Sequence, residues 1–411
     1  MFDLDLAWDR SAHTGSYAGE HVLRVRIRPR AGAGPKGGLP VRMAIALDTS
    51  SSMDGEKLAR AKQACSSIVG RLRQEDKFWL AAFGTRLIPC LENVAGGGPA
   101  ASGAQTALGG LKAVGVTRTD YAIEWVERVL QPEPGTVRAG VLITDGHATD
   151  PRGNALSDLK PLTDAAARLG ARAIALFAVG LGSADDFNTG FLADLGRVSG
   201  GAFLYADAPE KLEQELRRRL SSCQAMAAED ATLLVQPVLD DVRIVGLCRI
   251  RPDYVSMDVA PSIRIGSLRA DAPTDILVSV LVPPKRLEQP LGSIEVLEVR
   301  LNYVGGDLSL TTAPIEYTTA FSRAQQVNSE VDQDRLVWAI NTYADALNRT
   351  TDRNKTGELL SNLAAAAQMA GQGALAGNAL KQLDELKSSG KLSAHSRTQV
   401  LAQSRDLGGN P

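Results

Sequence analysis

No uncharged apolar stretch in this sequence approaches the ~18 residues that a bilayer-spanning helix needs, so no membrane span is expected. The chain does not open with a basic segment followed by an apolar run. Met1-Phe2-Asp3-Leu4-Asp5-Leu6 is acidic instead, and a secretory leader is not expected. An excess of charge of either sign is also missing. The 45 lysines and arginines are balanced by 47 aspartates and glutamates in 411 residues, which argues against nucleic acid or an anionic membrane as the partner. Cysteine is scarce: Cys65, Cys90, Cys223 and Cys248 are scattered without metal-like spacing, and reduced thiols in a cytoplasmic protein are expected. The four histidines are His13, His21, His147 and His395. There is no Gly-x-Ser-x-Gly elbow, no Gly-x-x-x-x-Gly-Lys-Ser phosphate loop and no His-Glu-x-x-His helix. With no candidate nucleophile beside an identifiable base, catalysis is not expected. Metal-dependent hydrolysis or phosphoryl transfer is the alternative, and it lacks a second ligand cluster or a general base.

What the sequence does contain is centred on Val41 to Met53. The run Val41-Arg42-Met43-Ala44-Ile45-Ala46-Leu47 is almost wholly apolar and ends in Asp48-Thr49-Ser50-Ser51-Ser52-Met53. A run of this kind followed by a helical pattern reads as a central strand of a parallel sheet, buried on both faces. Ligands of open α/β sheets bind outside the carboxyl ends of the strands, where Asp48, Ser50 and Ser52 lie. One carboxylate and two hydroxyls spaced by two on a turning loop can direct three oxygens at one point. Magnesium and other hard divalent cations select such a donor set. A second apolar strand, Ala139 to Thr144, ends in Asp145-Gly146, and Thr117 lies in a loop just before a helical pattern from Tyr121.

Asp48-x-Ser50-x-Ser52, then Thr117, then Asp145-Gly146 resembles the metal-ion-dependent adhesion site of a von Willebrand factor type A domain. Thr119 competes with Thr117 for the threonine position. Thr117 is preferred because Ala122-Ile123 then falls where the family has a small residue followed by an aliphatic one. The resemblance implies a divalent cation, magnesium first and manganese or calcium as substitutes, held by Asp48, Ser50, Ser52, Thr117 and Asp145. It also implies a protein partner whose Asp or Glu completes the metal shell. His147, Asp150 and Asp54 lie nearby in sequence and are expected to be ordinary surface-loop residues.

From Val41 to Cys223 strands alternate with helical patterns, so a doubly wound, mostly parallel sheet is expected, with an antiparallel edge near Leu87–Val94. After Cys223 the period changes to two, with candidate strands at 232–236, 242–248, 263–268, 275–282, 295–303, 307–312 and 315–319. This rhythm suggests an antiparallel sandwich. His21 to Arg30 alternates apolar and basic residues, which reads as a strand with one wet, arginine-bearing face. A lone strand is not stable by itself, so residues 1–36 are expected to join the later sheet and 31–40 to form a loop. The expected organisation is therefore an α/β domain (41–223) inserted in a split β-sandwich (1–36 and 224–320). A helical bundle (321–407) follows, with a fraying tail after Leu407. Its expected packing stripes are Leu336/Ile340/Tyr343/Leu347, Leu359/Leu363/Ala366/Ala370 and Leu380/Leu383/Lys387, with Gly371, Gly373 and Gly390 as stops. The whole arrangement resembles bacterial cytoplasmic proteins that combine a von Willebrand factor A domain, a sandwich and a helical tail. That resemblance implies an adaptor linked to MoxR-type ATPases, phospho-signalling or stress responses.

Overall fold

The structure, a computed structural model, describes residues 1–32, 38–182, 187–206, 209–285, 291–304, 306–307 and 311–407. The chain begins with β1 (Phe2–Trp8), β2 (Ala12–His13) and β3 (Gly19–Pro29). An α/β segment follows: β4 (Val41–Asp48), a 3-10 turn (Ser51–Met53), α1 (Glu56–Val69), β5 (Lys77–Phe83), β6 (Leu87–Ala95), α2 (Gly98–Gly109), α3 (Thr119–Val129) and β7 (Val137–Thr144). It continues with α4 (Lys160–Ala171), β8 (Ile174–Leu181), α5 (Thr189–Ser199), β9 (Ala202–Ala206) and α6 (Pro209–Gln224). Strands resume with β10 (Met226–Pro237), β11 (Arg243–Arg251), β12 (Val255–Met257), β13 (Ser262–Arg269), β14 (Thr274–Val282), β15 (Gly292–Tyr303), β16 (Gly306–Asp307) and β17 (Thr311–Tyr317). Helices α7 (Phe321–Ala324), α8 (Ser329–Arg349), α9 (Arg353–Met369), α10 (Gly373–Ser389) and α11 (Ala394–Asp406) come last. Two compact units result. One comprises residues 35–229 with 393–398, and the other comprises 1–34, 230–392 and 399–411.

In the α/β unit the sheet order is β6-β5-β4-β7-β8-β9. All neighbours are parallel except β6, which runs antiparallel to β5 at the edge. Every residue of β4 is buried, as an almost wholly apolar run requires, and its one arginine, Arg42, bonds Glu133 at 2.7 Å. Val41, Met43, Ile45 and Leu47 pack into one core with Leu58, Cys65 and Ile68 of α1. Ala44 and Ala46 alternate onto the other face and are fully buried as well. The chain steps outward from β4 through β5 to β6, then returns to the other side of β4 and steps through β7, β8 and β9. The reversal lies between β4 and β7, and the crevice outside the carboxyl ends of such a pair is where ligands bind in this kind of sheet.

The other unit contains two mainly antiparallel sheets, ordered β1-β3-β14-β11-β12 and β13-β10-β15-β17-β2, with β16 paired to β15 and the short edge strand β2 running parallel to β17. β3 pairs with β14 throughout, Val25 opposite Ile276, so a strand from before the α/β segment joins a strand from after it. β1 flanks β3 on the other side, with Leu6 opposite Val25. The sequence does not mark β1, β2 and β12 as separate strands. β2 and β12 are two and three residues long, too short to show a period. Of the strand expected at 307–312, residues 308–310 lie outside the described residues, as do the tail beyond Leu407 and much of the loop at 31–40.

The structure departs from the expected pattern on β3 and on the helices α9 and α10. The alternation of β3 predicts a solvated arginine face, but the Arg24 side chain is only 6% exposed. It donates to Asp334 at 3.2 Å and to Glu330 at 2.9 Å on α8. Arg26 bonds Asp275 at 2.8 Å, and Arg251 bonds both Asp275 and Asp334 at 2.7 Å. An ion network thus covers Arg24 and Arg26, which a local pattern cannot distinguish from a wet face, while Arg28 and Arg30, 56% and 59% exposed, keep the expected solvated face. The second correction concerns α9 and α10. Leu380 is 48% exposed, and α10 buries Leu375, Ala376, Ala379, Gln382 and Leu386 instead. α9 buries the expected Leu363, Ala366 and, at its end, Ala370, and adds Leu360 and Ala367, with Leu359 only half-buried. Alanines on several faces of these helices blur the apolar stripe, so the sequence leaves its angle open on α10. Gly371 and Gly390 do stop helices in the left-handed conformation, whereas Gly373 opens α10.

Candidate metal centre

The reversal between β4 and β7 brings two carboxylates together at the carboxyl end of the sheet. Asp48 is the last residue of β4 and Asp145 follows β7, and both are fully buried. The Asp48 carboxylate accepts from the Ser50 backbone N–H at 2.8 Å on one oxygen and from Thr144 Oγ1 at 2.5 Å on the other. Thr144 is available for this because the β4–β7 register sets Leu47 beside Ile143. Burial raises the Asp48 carboxyl to about 6, against the opposing hydrogen bonds from Thr144 and Ser50, and the neighbouring Asp145 adds to the rise.

The hydroxyl set forms on the turn after β4. Ser50 Oγ and Ser52 Oγ are 3.1 Å apart, and Ser52 Oγ donates to Asp145 Oδ1 at 2.7 Å. Ser50 is buried and Ser52 is exposed, so the cluster runs from the sheet end to the surface. The Thr117 loop is held on both sides. Ser51 N and Oγ donate to Gly115 O at 3.1 Å. On the other side, Thr117 N donates to Thr149 Oγ1 at 2.9 Å while Thr149 N donates back to Thr117 O at 2.9 Å. Gly115 has φ +86° and faces Thr85, so closely that a Cβ there would lie 2.0 Å from Thr85 Oγ1. Only glycine fits that conformation and that approach.

Gly146 reports where the oxygens converge. A Cβ on it would lie 3.2 Å from Thr117 Oγ1 and 3.4 Å from Ser52 Oγ. The hydroxyls of Thr117 and Ser52 therefore flank one small space that the missing side chain leaves open. Thr119 instead begins α3 and is buried, its N–H donating to Thr117 O at 3.1 Å. His147 is exposed, and Asp150 is occupied by Asn154 and the Arg152 N–H, away from the cluster. Among the described residues no group of three or more His, Cys, Asp or Glu is placed to hold a metal. The cluster has two carboxylates, and its other donors are neutral hydroxyls.

The donor chemistry fits a hard dication: all oxygen, with two buried carboxylates against one ammonium among the described residues. That ammonium belongs to Lys57, whose Nζ lies 2.7 Å from Asp145 Oδ2. No ion pair to Asp48 occurs among the described residues. No motif in the sequence singles out Lys57. A signal existed, because a lysine in the first turn of a helix opposes the helix dipole and calls for a local anion.

Residues 43–215 match the family model described as von Willebrand factor type A domain. Over 82% of this chain and 79% of the relative's, the sequence is 22% identical to an uncharacterized protein, sll0103, of Synechocystis sp.. Among solved structures, von Willebrand factor type A from Catenulispora acidiphila superposes with a TM-score of 0.77 at 16% identity, covering 98% of this chain and 96% of that one. The ArnB paralog VWA2 from Sulfolobus acidocaldarius superposes with a TM-score of 0.65 at 16% identity, covering 100% and 99%. These likenesses extend over the whole architecture: α/β sheet, antiparallel sheets and carboxyl-terminal helices. No helix among the described residues is long and apolar enough to cross a membrane.

Proposed function

We propose that this chain, which carries a von Willebrand factor type A domain over residues 43–215, is a metal-dependent protein-interaction module. Asp48, Ser50, Ser52, Thr117 and Asp145 would hold a divalent cation, magnesium first, and a partner's Asp or Glu would complete its shell. The observation that carries the reading is the pair of fully buried carboxylates at the sheet reversal, with three hydroxyls around them and one ammonium. Burying two carboxylates so close together is costly unless positive charge offsets them. Bound there, a dication supplies that charge and an electrophilic position for an outside oxygen. Ser50, Ser52 and Thr117 contribute oxygens without adding negative charge, which keeps the position attractive to a carboxylate. Ser52, at the surface, marks the side from which the partner approaches.

Domains of this family are generally interaction modules, and we read the chain as non-catalytic. We treat 41–223 as the binding domain, carried by the split β-domain and the helices, and assign the assembly to bacterial cytoplasmic signalling, stress response or a MoxR-type ATPase system. Calorimetry with magnesium and manganese tests the site. Wild type should give a binding heat that Asp48→Ala abolishes, and equal heats from the two would sink the assignment. A pull-down from native lysate with magnesium or EDTA, followed by mass spectrometry, tests the function. Partners should be lost with EDTA and in Asp145→Ala. Metal-dependent turnover of a phosphoester or peptide, lost in Asp48→Ala, would replace this reading with a hydrolytic one.

A further inference from the structure

Asp145 is divided between two positive or hydrogen-bearing partners. Oδ1 accepts from Ser52 Oγ at 2.7 Å, within the hydroxyl cluster, and Oδ2 is held by Lys57 Nζ at 2.7 Å. The carboxylate is fully buried, whereas the lysine side chain is 32% exposed and reaches it from the first turn of α1. The lysine's path is built into the sheet. Gly182, just after β8, has φ +93°, and a Cβ there would lie 3.0 Å from Lys57 Cε and 3.3 Å from Nζ. A side chain at 182 would be strained by its backbone and would press on the lysine as well. A lysine at this end of a helix is opposed by the dipole, so its interaction with Asp145 has to offset that cost.

We propose that Lys57 is a resident counter-charge that sets the metal affinity of the cluster. This rests on the metal reading above. In the metal-free protein the ammonium neutralises the Asp145 charge that a dication would otherwise compensate, so part of the metal's electrostatic gain is taken in advance. Lys57 therefore stabilises the metal-free protein and weakens metal binding, two effects that are linked. In the metal-bound protein the two carboxylates, one ammonium and a dication leave one net positive charge among these groups. Without the lysine they would sum to zero. The same residue thus biases the loaded site toward an anionic ligand.

The test uses the full chain, magnesium alone as the probe, and two variants. Lys57→Gln keeps a donor toward Asp145 and removes the charge, and Lys57→Arg keeps the charge. Lys57→Gln should bind magnesium about tenfold more tightly than wild type, which is about 1.4 kcal/mol, and Lys57→Arg should stay within about threefold. In EDTA, Lys57→Gln should melt below wild type, and saturating magnesium should close the gap. A residue that only braced the fold would lower both melting temperatures equally and leave the affinity alone. Wild-type binding with equal or weaker binding by Lys57→Gln overturns this inference and leaves the metal reading intact. If neither protein binds magnesium or manganese, both fall. Should Lys57→Gln be recovered only in magnesium, half-release of the ion must come at a lower free concentration than in wild type. Release at the same or a higher concentration overturns the proposal.

Discussion

Asp48→Asn separates the cost of the site from its use. Asp48 is fully buried, and burial carries its carboxyl from the ordinary 3.8 to about 6. At neutral pH the group is ionised and is held so at a cost of about 3 kcal/mol, at ~1.4 kcal/mol per tenfold change in the proton equilibrium. Between pH 3.8 and about 6 the native state keeps a proton that the unfolded chain releases. This group's contribution to stability therefore falls as pH rises through that window and is constant above it. Asparagine has the same shape, and its carbonyl can still accept from Ser50 N–H while its amide faces Thr144 Oγ1. In EDTA at pH 7.5, Asp48→Asn should resist urea better than wild type by up to about 3 kcal/mol, and near pH 4 the two should converge. In magnesium the order should reverse, because only wild type gains metal-linked stability. Urea titrations of the α/β unit, read by tryptophan fluorescence at both pH values with and without magnesium, measure this. If Asp48→Asn were less stable than wild type in EDTA at pH 7.5, the hydrogen bonds from Thr144 and Ser50 would already satisfy the charge. The argument that the site wants a cation would then lose its main support.

Gly146→Ala places a methyl 3.2 Å from Thr117 Oγ1 and 3.4 Å from Ser52 Oγ. It should weaken magnesium binding measurably by calorimetry while shifting the metal-free melting temperature little, and unchanged affinity would show that the space is not used. Asp275→Ala removes a fully buried carboxylate shared by Arg26 and Arg251, and chemical denaturation should show a loss of about 3–5 kcal/mol. A loss under about 1 kcal/mol would mean that the arginines re-pair or become hydrated. His21 is buried, and desolvation lowers its ring to about 4 from 6.5, so the unfolded chain binds the extra proton between those values. Its contribution is complete above pH 6.5 and is lost as pH falls toward 4. Replacement by Phe should flatten the acid limb of the stability curve, and an unchanged limb would assign that limb to other groups.

Much of this molecule was legible locally. The β4 run and its abrupt end at Asp48 identify a central strand and the edge of a site. Burial on both faces demands a nearly continuous apolar stretch, and the turn after it demands polar residues that can bond their own backbone. Asp145-Gly146 and the loop at Thr117 were legible for the same reason, as were the strand–helix alternation and the change to a period of two. The chain by itself therefore determined the α/β class of the segment after Val41, most of its strands and helices, and the candidate donor residues. What it could not supply were pairings between distant charges. Arg24 and Arg26 have the alternation of a wet face, and only the packing of α8 puts Asp334 and Glu330 over them. The angle of the α10 stripe depended on which of several alanines met a neighbour, and alanine carries too little apolar weight to decide that alone. Lys57 looked like an ordinary residue at the start of a helix. Its place on Asp145 comes from the side-by-side packing of β4, β7 and β8, which lets α1 start beside the end of β7. Charge type is written in each residue, whereas charge partnership is decided only when the tertiary structure removes water from both members of a pair.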